Sequence, residues 1–134
     1  MQVAVWDTYV KTPTGDVLHF DIVVPESDSR EEVVYNYGRR YLQSRGMAEV
    51  ELSAGECRFC HMEQPEAAIQ KAIREHGYYI YELDTIPAVL PDKPARRDLI
   101  LHLRGHFPQY RFADFKDKTE EELMAIILRA RGEL

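Results

Sequence analysis

Two apolar runs rich in β-branched and aromatic residues, VAVWDTYV at 3–10 and VLHFDIVV at 17–24, flank the turn-forming segment KTPTGD. No other feature limits the fold as strongly. Such runs around a break containing Pro and Gly predict a β-hairpin, here with a loop from Lys11 to Asp16. In the second run Leu18, Phe20, Ile22 and Val24 alternate with polar His19 and Asp21, so one strand face looks into a core, and Pro25 ends the strand. Pairing the strands symmetrically about a six-residue loop puts Val3, Val5 and Tyr9 on the face of Leu18, Phe20, Ile22 and Val24. That register drops Asp7 into an apolar row, and His19 and Asp21 fall on the other face beside Trp6 and Thr8. A carboxylate in an apolar row needs partners. It is either an acid with a raised pKa beside a cleft, or an acceptor for backbone hydrogen bonds or a cap for the first helix.

Ser29 and Glu32 have capping-box spacing, and Val34, Tyr37, Tyr41 and Leu42 then recur at helical intervals up to Gly46. After an irregular stretch carrying the cysteines, Pro65 suits a first helical turn. Ile69, Ala72 and Ile73 make an apolar stripe, Gly77 can close that helix, and Tyr78 to Leu83 reads as a strand. The order predicts an α+β fold over residues 1–85: a small mixed sheet, made of the N-terminal hairpin plus the later strand, with two helices packed on one of its faces. Residues 86–95 belong to a proline-rich stretch that reads as a stiff linker, and 96–134 as a helical extension. In the extension, Arg96 to Arg104 forms one helix, and Thr119 to Arg131 forms another opened by Thr119 and Glu122. Leu123, Ile126, Ile127 and Ala130 give the last helix an apolar face, to be buried against the body or in a homodimer contact.

The segment Glu56–His61, ECRFCH, is the most informative chemical motif. Its literal match is covalent haem attachment, which requires export, and the N-terminus shows no export signal. Zinc is chemically easier: Cys57, Cys60 and His61 would be the metal ligands, with His19 or the His102/His106 pair able to complete the shell. A thiol redox reading makes Cys57 the nucleophile and Cys60 the resolving thiol, because CHMEQP places Pro65 five residues after the second cysteine, as thioredoxin-like sites do. The plain structural reading has both cysteines as small buried apolar residues. No Gly-rich phosphate loop, serine elbow or His-Glu-x-x-His helix is present, so nothing in the sequence assigns an enzyme activity.

Charge bears on partners. Residues 1–87 hold 8 Lys/Arg against 15 Asp/Glu, within a chain of net charge −6. An acidic N-terminal portion argues against nucleic acid, whose binding relies on neutralising phosphates. No run approaches the length of a membrane-spanning helix, and the expected setting is the cytoplasm.

Five segments, VWDTYV at 5–10, HFDIVVP at 19–25, YGRRYL at 37–42, ECRFCH at 56–61 and GYYIYEL at 77–83, together resemble the DUF2024 family, small bacterial proteins of unknown function. The resemblance covers about the first 85 residues and implies a compact α+β domain in a bacterial cytoplasm. It supplies no activity, ligand or catalytic residue, and the extension from about Ile86 departs from the family pattern.

Overall fold

The structure, a computed structural model, describes residues 1–133; Leu134, the last residue of the expected extension, lies outside them. The hairpin forms as β1 (Val3–Lys11) and β2 (Val17–Pro25), followed by a short 3-10 turn at Glu26–Asp28 and helix α1 (Glu31–Ser44). Strand β3 (Cys57–Glu63), helix α2 (Ala67–His76) and strand β4 (Tyr79–Ile86) come next, then α3 (Arg96–His106), the single turn α4 (Phe112–Phe115) and α5 (Glu120–Ala130). The four strands make one sheet in the order β3-β1-β2-β4. Every pairing in it is antiparallel, where a mixed sheet was expected.

The additional strand is β3, which contains Cys57 to His61, a stretch expected to be irregular. The sequence hides it because most of β3 is exposed. An edge strand with little buried surface lacks the alternation that would reveal it. Ser29 does not cap α1: its hydroxyl accepts the indole N–H of Trp6 at 3.2 Å, and Arg30 takes the cap position without a side-chain bond. Thr119 does cap α5 as read, its hydroxyl accepting Glu122 N–H while Glu122 accepts Thr119 N–H.

The two expected helices lie on opposite faces of the sheet. Val34 and Leu42 of α1 pack with Ala4, Trp6, Phe20, Ile22 and Val24. Ile69 and Ile73 of α2 pack with Val3, Val5 and Val23. The strands are apolar at consecutive positions at this end, so both faces have to be covered. The extension has its own core of Leu99, Leu103, Phe115, Leu123 and Ile127. Leu123 and Ile127 are thus buried within the chain, while Ile126 and Ala130 of the same face are half-buried. Helix α3 lies on the same sheet face as α2, over Ile86 at the opposite end; a Cβ on Gly105 would stand 2.7 Å from Ile86 Cδ1. The proline-rich stretch is held against the hairpin turn, Ala88 N donating to Asp16 Oδ1 at 2.9 Å. Among the described residues no helix is long and apolar enough to cross a membrane.

Candidate functional site

The hairpin register sets the site. Lys11 pairs with Val17, Tyr9 with His19, Asp7 with Asp21 and Val5 with Val23. The loop therefore has five residues, closed by Thr12 N donating to Asp16 O and Gly15 N to Thr12 O, with Gly15 at φ 91°. Relative to the six-residue loop, this is a slip of one residue, which moves every side chain of one strand to the other face. Trp6 and Thr8, not Asp7, enter the apolar row with Phe20 and Ile22. Asp7 and Tyr9 instead join His19 and Asp21 on the face between α2 and α3.

Ligand-type atoms of Asp7, His19 and Asp21 all lie within 4.8 Å of one another. His19 Nε2 donates to Asp7 Oδ1 at 2.7 Å, and Arg104 of α3 donates through Nη2 to Asp7 Oδ2 at 2.8 Å. His19 stacks on Tyr9 with ring centroids 4.2 Å apart, and the Arg104 guanidinium lies over the other partner of that stack, 5.5 Å from the Tyr9 centroid. His19 is 8 % exposed, and its Nδ1 is buried without a hydrogen-bond partner among the described residues.

The paired carboxyls behave oppositely. Burial works to raise the pKa of Asp7, but the hydrogen bond and charge of His19 and the charge of Arg104 outweigh it and hold the carboxyl below its ordinary range. At Asp21 burial and the negative Asp7 outweigh the charges of His19 and His61 and push the carboxyl up to about 7. Near neutrality Asp7 is a carboxylate and Asp21 still carries a proton over part of the population.

A folded-state pKa above the unfolded value of ~3.9 means that the folded chain binds the Asp21 proton more tightly. Stability from this group is complete below the unfolded pKa and declines as pH rises toward 7. Asp21→Asn should remove that decline. Chemical denaturation across pH 4–8 is expected to show the wild type losing on the order of 1–2 kcal/mol relative to the variant, a figure reduced for the partial exposure of Asp21. Parallel profiles for the two proteins would contradict the assignment.

The Cys motif is distributed across the sheet. Cys57 is buried in the α1-side core, where it accepts the Thr8 hydroxyl at 3.2 Å, and burial pushes its thiol up to about 12. Cys60 is exposed and sits where the β1–β3 register shifts between Phe59 and His61, forming a bulge toward the Asp7 face. Burial raises its pKa as well. These shifts run opposite to the lowered pKa that a thiolate nucleophile needs. His61 pairs with Glu63 at 3.0 Å. Among the described residues Cys57, Cys60 and His61 do not converge as a ligand set, whereas Asp7, His19 and Asp21 do. His102 and His106 stand apart on α3, His102 buried beside Arg131 and His106 bonded to Pro87 O at 2.9 Å.

Beside Asp7 a cleft of about 250 Å³ opens between β1, β3 and the α3–α4 connection. Tyr9, Arg58, Phe59 and Cys60 form one wall; Arg104, Tyr110, Arg111 and Phe112 form the other.

The family described as "Domain of unknown function (DUF2024)" matches residues 1–83. A solved structure, the NMR structure of protein NE1680 from Nitrosomonas europaea, a Northeast Structural Genomics Consortium target, is similar at 34% identity with a TM-score of 0.57. The match covers 63% of this chain and 96% of that one. No curated protein matches the chain. The matched family region ends at residue 83, so Arg104 and the second cleft wall lie beyond it.

Proposed function

Because this chain belongs to the DUF2024 family, which brings no activity with it, we propose from the site alone that the protein binds a divalent transition-metal ion through Asp7, His19 and Asp21. The observation that carries this reading is the convergence of two carboxylates and one imidazole within 4.8 Å on neighbouring strands. Like charges directly opposite each other across a strand pair destabilise a sheet, and a cation between them reverses the sign of that term. Mixed carboxylate and imidazole donors suit zinc, manganese or iron(II). To ligate an ion, His19 would give up the Nε2 proton that it now donates to Asp7 Oδ1. Arg104 remains on the far oxygen, Oδ2, where it fixes the orientation of the carboxylate as outer partners of metal ligands do. Three protein donors leave further coordination positions to water or a small molecule. In this reading Asp7, His19 and Asp21 hold the metal in place of Cys57, Cys60 and His61, the set expected from the sequence.

The test is calorimetric titration of chelator-treated protein with zinc or manganese chloride in two buffers of different ionisation enthalpy. One ion per chain is expected, with net proton release as Asp21 gives up its proton. His19→Ala should weaken binding by about 100-fold or more, and Cys57→Ser and Cys60→Ser should leave it unchanged. Full affinity in His19→Ala would end the proposal, and loss of metal in the cysteine variants would return the site to the Cys motif.

A further inference from the structure

The cleft adjoining the carboxylates has a chemistry of its own, and we propose that it binds a small planar anion, an aromatic carboxylate, held by guanidinium groups and flat against aromatic rings. Three arginines, Arg58, Arg104 and Arg111, face the cleft against two carboxylates, Asp7 and Glu56. Both acids already have partners: Asp7 is bonded to His19 and Arg104, and Glu56 accepts the backbone N–H and hydroxyl of Ser53. The remaining charge is positive, in a chain that is acidic overall.

Two of the three guanidiniums, those of Arg58 and Arg104, are held in place before any ligand arrives. Arg58 donates through Nε to Ala54 O at 2.7 Å and through Nη1 to Pro108 O at 3.0 Å, so it is tied to both sides of the cleft and keeps further N–H groups free. Arg104 is fixed by Asp7 and by the Tyr9 ring. A planar fork of donors matches a carboxylate better than a point charge does, and fixing it in advance lowers the entropic cost of binding.

The rings explain why the anion is aromatic. Phe59 and Phe112 are 48% and 52% exposed, large apolar surfaces left open on facing walls. Each is oriented by an edge-to-face neighbour, Phe59 by Trp6 at 6.0 Å and Phe112 by Phe115 at 5.8 Å. A flat apolar body covers these rings while its charge reaches the arginines. The volume of about 250 Å³ falls below the range for drug-sized ligands and suits a single-ring metabolite.

The experiment is an amide-shift NMR titration of the full chain with benzoate, benzamide and acetate, in the presence of chelator so that the outcome is independent of the proposed metal. Benzoate should give saturable shifts on both cleft walls. Benzamide, which keeps the ring and loses the charge, should bind at least about tenfold more weakly, as should acetate, which keeps the charge and loses the ring. Arg104→Gln should lose most of the benzoate affinity. Arg111→Gln, at an exposed position that leaves packing intact, should weaken binding several-fold and guards against misfolding of the first variant. Equal binding of benzamide or acetate, shifts outside the cleft, or wild-type benzoate affinity in both arginine variants would each overturn the proposal.

Discussion

Phe115→Ala is expected to remove about 3–5 kcal/mol of stability, the usual cost of truncating a buried phenylalanine, and to concentrate that loss in α3–α5. Phe115 is 1% exposed and is carried by a helix of only four residues, so its ring, and not the backbone of α4, seats that turn between α3 and α5. The residues around it, Leu99, Leu103, Leu123 and Ile127, form a cluster separate from both clusters on the sheet. Elements with separate cores open with separate free energies. Amide hydrogen exchange should therefore show protection falling in α3 and α5 while β1 and β2 keep theirs. Uniform loss across the chain would mean that the extension and the sheet open as one unit, and the division at 86–95 would be wrong. In the expected case Arg104 leaves Asp7 when α3 loosens, and the cleft loses one wall without a residue in it being changed.

Gly38→Val should destabilise the chain by roughly 2–3 kcal/mol, the scale of overpacking a well-filled core. By intrinsic preference alone a non-glycine residue inside α1 would help the helix. Tertiary packing reverses that sign. A Cβ at Gly38 would stand 2.3 Å from Leu52 Cδ1 and 2.9 Å from Ile22 Cδ1, so the helix approaches the sheet on the bare backbone. Leu52 can swing away from a single methyl, but the second and third carbons of valine press on Ile22 at the centre of the sheet as well. A fall in Tm of about 10 °C is the expected reading for a chain of this size. A valine variant as stable as the parent would mean that Leu52 is not seated over α1.

Much of the fold was legible because its signals are local. The hairpin, the stop at Pro25, the left-handed Gly77 after α2 and the Thr119–Glu122 cap of α5 all depend on residues within a few positions of each other. The capping box at Ser29 failed because Trp6, 23 positions away, takes the hydroxyl. The candidate site failed at one count, the parity of the hairpin loop. A six-residue loop would strand Asp7 in the core, whereas a five-residue loop sets it against His19 and Asp21. The cost of burying an unpaired carboxylate was the physical signal that could have chosen between them. Arg104, 97 positions from Asp7, left no trace that a single sequence could reveal.

The two outer strands share an irregularity that the inner pair lacks. β3 has Cys60 as an extra residue opposite the Val5/Trp6 step, and β4 has one opposite His19, between Leu18 and Phe20. A regular outer strand is an open template on which another chain can continue the hydrogen-bond ladder. Here each border is interrupted once and locally overtwisted, although it displays Phe59, Met62, Tyr81 and Leu83. The bulge that turns Cys60 toward the cleft thus also keeps the sheet from propagating into a neighbouring molecule.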